Sequence, residues 1–528
     1  MTSDKHSIGR TWGFLVALGL FAALWMGRPE YVAFELIPFP KWEDWGNETL
    51  HALNPEAIDT LLSAYDFFDS LHRAEVLPVH CADSTTALND IDLKDSVVMS
   101  SPKPFTQQIG EAPIGQKDHA LSKLHPNLRL QGSETAFVRL GYFFNRLQNK
   151  LHQGPLHIFH FGDSQIEGDR ITRTLRTSWQ NRWGGYGLGY LAPKPLVAPA
   201  SIVQSTSAGW IRHARYGRRD TTIKHNRYGL LAAFASHDES IASDQPPWIR
   251  LKPNSRASLS EQHVHSIKML FGKSESSARL SCYLDSTFIG TFEIPADSVS
   301  SELTIPLSSN SGSVAFKSIE FQFNGPAPEI DAIGMFPDSG LVFHNVAMRG
   351  SSGTLFRQLD RAQFTHQLQS HDVGMVILQF GGNAVPYIAD TAAVKRYGQW
   401  FASQIRLFQS LTPDAAIVII GPSDMATKQG QYMATYPMLV PVRNALRQVA
   451  LDENVLFWDV FEVMGGQGSM AAWVASDPQL ASPDHVHFTR RGANKIASLL
   501  LQSLDAEWES WERKQHGLNS TSSIDSSP

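Results

Sequence analysis

A chain of 528 residues with 42% hydrophobic side chains, 13 Trp and 29 Phe has the apolar content for two or three packed domains, and is not a disordered protein. Its formal net charge of −6 provides no basic field, so nucleic acid is not an expected partner. The two cysteines, Cys81 and Cys282, form no Cys-x-x-Cys motif and carry no signature of a disulfide framework or a cysteine-based metal site; they are either one bridge or two free thiols.

Residues 12–27 (WGFLVALGLFAALWMG) are apolar on all faces and follow Lys5 and Arg10. The run is somewhat shorter than the ~20 residues of a usual spanning helix. Bulky residues follow it where a cleavage site would need small ones. The first reading for 1–28 is therefore an uncleaved signal anchor, the second a cleaved signal peptide. Either places the body of the protein in the periplasm, held by a single-pass inner-membrane helix or released. An N-terminal segment follows, with helix expected over 54–72 and a Ser/Thr/Pro/Lys-rich linker up to 132.

From Ser133 the apolar residues Phe137, Leu140, Phe144 and Leu147 recur at helical spacing. The run 156–161 reads as a buried strand ending in Gly162-Asp163-Ser164, and a helix is expected over 169–183. Ser164 is thus expected at a helix N-terminus, where free N–H groups face developing negative charge. The glycine cluster Gly184, Gly185, Gly187 and Gly189 fits neither a phosphate loop nor a dinucleotide fingerprint, and reads as a rigid loop beside the serine.

Across 200–338 short β-prone runs are separated by Ser, Asn, Gly and Pro, the pattern of a β-sandwich or jelly roll inserted between 133–199 and 339–507. Alternating β and α then resumes, with strands expected at 341–346, 375–380, 416–420 and 455–458 and helices at 353–370, 391–410, 433–452 and 490–505. With the strand before Ser164, this makes a five-stranded, parallel, doubly wound α/β sheet in three layers. The polar segment 508–528 is expected to be a disordered tail.

Sites in such sheets lie beyond the carboxyl ends of the strands. Gly350 follows the second strand, Asn383 the third, and Asp484-His485-Val486-His487 the fifth. An Asp and a His three apart can share one face of a turn, so that Asp484 orients His487 and His487 takes a proton from Ser164. The N–H groups of Ser164, Gly350 and Asn383 would supply an oxyanion hole. Alone, Gly350 also reads as a turn glycine, Asn383 as a helix cap, and Asp484-x-x-His487 as an N-cap with a surface histidine. A zinc reading of Asp484, His485 and His487 lacks a further ligand at a recognised spacing. No metal or organic cofactor is expected.

In order, these four blocks resemble the SGNH (GDSL) hydrolases. The resemblance implies Ser164 as nucleophile, His487 as base, Asp484 behind it, and Gly350 and Asn383 with Ser164 as oxyanion donors; Asp163 then has no place in the triad. The inserted β domain is similar to a carbohydrate-binding module. With the wording His160-Phe161-Gly162-Asp163-Ser164-Gln165, Gly465-Gly466-Gln467-Gly468-Ser469-Met470 and Trp473, it resembles exported O-acetylesterases of peptidoglycan and related polysaccharides. One departure is Ala384, where that family often has an acidic residue.

The implied activity is removal of O-acetyl groups from an acetylated cell-envelope polysaccharide. One alternative is a membrane-anchored O-acetyltransferase using the same triad beside a membrane O-acyltransferase partner. The other is a non-catalytic carbohydrate-binding envelope protein, with binding carried by the run from Trp210 to Arg219, which also reads as a solvated β surface.

Overall fold

The computed structural model describes residues 121–522, apart from 122, 150, 219, 242–243, 275 and 309–311. The apolar run at 12–27, the helix expected over 54–72, Cys81 and nearly all of the linker lie outside the described residues. Among the described residues no helix is long and apolar enough to cross a membrane.

Five strands, β1 (Pro155–Gly162), β2 (Gly340–Ala347), β3 (Val373–Gln379), β4 (Ala416–Ile420) and β5 (Leu456–Trp458), form a parallel sheet in the order β2-β1-β3-β4-β5. Their near-continuous apolar runs follow from burial on both faces. On one face Ile158, Phe343, Met375 and Val418 pack against α1 (Glu134–Asn149), α2 (Thr172–Trp183) and α6 (Arg490–Ser522). On the other, Phe159, Val342, Val376 and Ile417 pack against α3 (Arg361–Gln369), α4 (Thr391–Leu411) and α5 (Leu439–Asp452). Alternate residues of each strand thus serve opposite layers, completing the expected mixed α/β sandwich of helices around a sheet.

The intervening segment forms two antiparallel sheets. One orders Thr287–Ile294, Ala278–Leu284, Ile319–Asn324, Trp248–Pro253 and Ile202–Thr206; the other orders Ser301–Pro306, Ser266–Phe271, Ile330–Phe336, Ala233–His237 and Trp210–Ala214. Ile249, Leu280, Cys282 and Phe321 of the first share a core with Ile267, Met269 and Ile333 of the second, so the sheets pack face to face. Cys282 is a free thiol in that core, and burial pushes it up to about 12.

Several elements differ from expectation. The glycine cluster is not merely a loop, because Gly189–Leu191 pairs with Ile330–Phe336 of the second antiparallel sheet. Its glycines let backbones touch: a Cβ at Gly185 would lie 2.4 Å from the Leu341 carbonyl oxygen, and one at Gly187 2.4 Å from that of Met335. The end of the linker is ordered, since Gln131 and Phe457 exchange backbone hydrogen bonds of 2.9 and 2.7 Å at the β5 edge. Helix α6 runs to Ser522 with Trp508 and Ser510 buried, so the segment from 508 to 522 is helical rather than a disordered tail.

Buried polar contacts join the insert to the parallel sheet. The Tyr190 N–H donates to His344 Nδ1 at 3.0 Å, so the His344 proton sits on Nε2 and is donated to His157 Nδ1 at 2.9 Å. Burial, with Lys268 nearby, lowers His157 to about 3, which keeps it neutral. Asp331, on the insert strand Ile330–Phe336, accepts from Gln363 (2.7 Å) and Gln367 (2.6 Å) of α3. Burial raises this carboxyl to about 8.

Candidate active site

β1 ends at Gly162, where a Cβ would lie 2.9 Å from Ile166 and 3.2 Å from the Gln379 carbonyl oxygen. Glycine at this position lets the chain turn tightly against β3. Two residues later comes Ser164, half-buried. It is not at a helix N-terminus: Gly168 and Asp169 take left-handed conformations (φ 65° and 67°), and α2 starts only at Thr172. The expected helix dipole at the serine is therefore not part of the site.

The His487 ring faces Ser164 across 323 residues of sequence. Ser164 Oγ lies 2.8 Å from His487 Nε2, and His487 Nδ1 lies 2.9 Å from Asp484 Oδ2. The other carboxylate oxygen of Asp484 accepts the Val486 and His487 N–H groups, each at 2.9 Å. Burial pushes the Asp484 carboxyl up, but the hydrogen bonds from the His487 ring, its N–H and the Val486 N–H outweigh this and hold it well below the usual carboxylate range. An ionised Asp484 accepts a hydrogen bond from His487 Nδ1–H, so the ring proton stays on Nδ1 and the bare Nε2 accepts from the Ser164 hydroxyl. Both ring nitrogens are thereby engaged, which leaves no place for the zinc reading. Among the described residues no group of three or more His, Cys, Asp or Glu could hold a metal ion.

The cap readings do not hold either. Asp390, not Asn383, caps α4 by accepting from Ala393 N–H at 2.7 Å, and Thr489, not Asp484, accepts a first-turn N–H of α6, that of Gly492 at 3.2 Å.

Gly350 lies in the turn after β2 with φ +79°, and an added Cβ would meet nothing within 4 Å. Glycine is therefore required by the backbone, and the space above it is open to a substrate. Asn383 is half-buried in the turn Gly382–Tyr387 after β3. Its amide donates to Asp163 Oδ2 and to the Ser351 carbonyl, both at 3.2 Å. An oxyanion at Ser164 would have to share one of these N–H groups. Asp163, 5% exposed, also accepts the Gln165 N–H at 2.9 Å. Burial raises Asp163 to about 6 against the pull of these donors and of His487. It contacts neither ring nitrogen and orients Asn383 instead.

Two residues given no role by the sequence reading clamp the serine turn to the histidine loop. Gln165 Nε2 donates to the Val486 carbonyl (2.7 Å), while its Oε1 accepts the Phe488 N–H (3.4 Å). The guanidinium of Arg170 reaches the Ser164 carbonyl and donates to that of Phe488 at 3.3 Å. Together they grip the chain on both sides of His487. No local pattern signals them, because their partners in the histidine loop, Val486 and Phe488, are more than 300 residues away in sequence. Beside them Glu167 accepts a forked hydrogen bond from Arg349, the neighbour of Gly350 (3.0 and 2.9 Å from Nε).

Within the run from Trp210 to Arg219, Trp210 and His213 are buried, and Trp210–Ala214 is an edge strand paired with Ala233–His237. A wholly solvated surface is thus not what this run forms.

Residues 335–495 match the sequence model of the GDSL-like lipase/acylhydrolase family. That stretch holds β2 to β5 together with Gly350, Asn383, Asp484 and His487, while β1 and Ser164 lie before it. No curated protein matches the chain. Among solved structures it is similar to a peptidoglycan O-acetylesterase at 20% identity, covering 72% of this chain and 99% of that one with a TM-score of 0.56. Others are the acetyl xylan esterase AlAXEase (16% identity, 31% and 81% covered, TM-score 0.25) and a family two carbohydrate esterase from Clostridium thermocellum (11%, 57% and 100%, TM-score 0.23). At this identity the first likeness speaks to the fold.

Proposed function

We propose that this chain is a serine esterase that removes O-acetyl groups from a cell-envelope polysaccharide of the peptidoglycan type. The observation that carries the reading is the relay from Ser164 Oγ through His487 (2.8 Å) to Asp484 (2.9 Å) at the ends of parallel strands. The fold it shares with a peptidoglycan O-acetylesterase supports the substrate class.

In this mechanism Ser164 Oγ attacks the acetyl carbonyl as His487 Nε2 takes its proton. The N–H groups of Ser164, Gly350 and Asn383 stabilise the resulting oxyanion, each such donor being worth on the order of 100-fold or more in rate. His487 returns the proton to the sugar oxygen as the C–O bond breaks, leaving acetyl-Ser164. Water, deprotonated by His487, then attacks this ester and releases acetate. Asp484 stabilises the imidazolium formed in each half-reaction. The apolar run at 12–27 would hold the enzyme at the membrane with its body in the periplasm, or be removed on export.

The test is acetate release from O-acetylated peptidoglycan and acetylated xylan by the native protein and by Ser164→Ala. Release from peptidoglycan that disappears in the variant supports the reading. Release that persists in the variant overturns it, and acetyl transfer to an added oligosaccharide faster than to water would assign the same site to a transferase.

A further inference from the structure

Resting on that esterase reading, we infer that Arg349 is a specificity residue, whose outward guanidinium edge receives a carboxylate that the glycan carries close to its O-acetyl group. Arg349 directly precedes Gly350, whose N–H is assigned to the oxyanion, so the residue and the acetyl carbonyl meet at one turn. The space above that turn is open, since a Cβ at Gly350 would meet nothing within 4 Å. The insert borders it, because a Cβ at Gly217 would lie 4.0 Å from the Arg349 carbonyl oxygen.

The guanidinium is fixed in place and only partly used. Glu167, three residues after Ser164, donates its N–H to the Ser164 carbonyl at 3.3 Å, and its carboxylate grips Nε and Nη2 of Arg349. The Glu167 side chain is 11% exposed and that of Arg349 47%. A guanidinium has five N–H donors. The grip of Glu167 occupies one edge and leaves Nη1 with no hydrogen-bond partner among the described residues. Nη1 and the second N–H of Nη2 form another parallel fork, the geometry that matches two carboxylate oxygens. Because Glu167 already holds the side chain, an arriving anion orders little that is not ordered before.

The surrounding charges favour an anion at that edge. Burial lowers the Arg170 pKa, Glu167 opposes that shift, and the charge of Arg349 adds to it, so the two guanidiniums repel each other across one carboxylate. Arg212 of the insert lines the same cleft as Glu167. Asp484 and Asp163 also face Arg170, but the first is committed to His487 and the second to Asn383. A carboxylate on the outer fork would offset this repulsion. Peptidoglycan carries such groups on its lactyl ethers and peptides, whereas xylan acetylated on hydroxyls alone offers the fork only neutral oxygens. The site therefore favours an acidic glycan over a neutral one bearing the same ester.

The experiment measures binding without turnover, by calorimetry on the full-length Ser164→Ala protein. The probes are an O-acetylated peptidoglycan fragment with free carboxylates and the same fragment with its carboxyls converted to amides. The amidated form is expected to bind about fivefold more weakly, the upper range for a half-exposed ion pair. In Ser164→Ala/Arg349→Gln the two forms are expected to bind alike, whereas a purely structural Arg349 would weaken both equally and keep their ratio. A ratio below twofold in Ser164→Ala, no binding of either form, or an undiminished ratio without Arg349 overturns the inference. The first two outcomes need no change at position 349, so they stand even where Arg349→Gln impairs folding. Repeating the pair on glycan freed of its peptides identifies the source: a retained ratio assigns the lactyl carboxylate, a lost one the peptide. The two proposals fail separately. Acetate release by the native enzyme with equal Kd values leaves an esterase that does not read the carboxylate. An Arg349-dependent ratio with no acetate released by the native enzyme leaves a carboxylate site without the esterase.

Discussion

The parallel sheet and the inserted antiparallel pair use polar residues in different ways. Every residue of β3 is buried, and the groups of the Ser164–His487–Asp484 relay gather past the strand ends, where Gly350 (φ +79°) and Gly381 (φ +123°) bend the chain. In the insert, strands such as Ile319–Asn324 alternate buried and less buried residues, so polar groups lie along the strand. One of its fully buried polar groups, Asp331, sits where it meets the α/β part, against Gln363 and Gln367. One region thus concentrates chemistry at backbone turns, and the other places a buried carboxyl at a joint. Substitutions should separate the two, changing rate in the first and stability in the second.

The largest effect is expected at the relay. Asp484→Asn removes the acceptor that fixes the His487 tautomer and should lower kcat for acetate release on the order of 10⁴-fold. A loss below about tenfold would mean that Asp484 does not orient the base. Asn383→Ala should cost roughly 100- to 1000-fold in kcat with little change in KM, as for an oxyanion donor; a change confined to KM would remove it from that role. Gln165→Ala loosens the grip on Val486 and Phe488, and misplacement of His487 should lower kcat on the order of 10- to 100-fold. Gln165→Glu keeps only the acceptor half of the grip and should fall between native and Ala, whereas identical kinetics in all three would show that the clamp does not position the base.

The smallest effect belongs to the joint and appears in stability. Asp331 is raised from 3.8 to about 8, so between these values the folded state holds a proton that the unfolded chain has released. Stability therefore falls as pH rises through this window, and the loss is complete above about 8. Asp331→Asn keeps the shape and removes the titration, so its thermal midpoint should change less than the native one between pH 6 and pH 9. Parallel pH curves for the two proteins would mean that this carboxyl does not govern the joint.

Much of this division can be read from the sequence for a physical reason. Strands buried on both faces are continuous apolar runs, as in the Ile-Val-Ile-Ile of β4, and the residues after them stand out as Gly, Asn, Asp and His. The strand Ile330–Phe336 is poorly legible in the sequence because Ile-Asp-Ala-Ile-Gly-Met-Phe carries an Asp and a Gly at buried positions that only tertiary partners explain. Likewise the helix expected directly after Ser164 is delayed by Gly168 and Asp169, whose left-handed backbone no apolar period reveals. Asn383 could be placed near the serine from its position after a strand, but its contacts with Asp163 and Ser351 depend on how three loops meet.

The central claim is that Ser164 is a nucleophile activated by His487. Labelling the native protein with a fluorophosphonate and mapping the adduct by peptide mass spectrometry tests it most directly. One adduct is predicted, on Ser164, formed far more slowly in His487→Ala. An adduct on another residue, or labelling of Ser164 at the same rate without His487, would contradict the account.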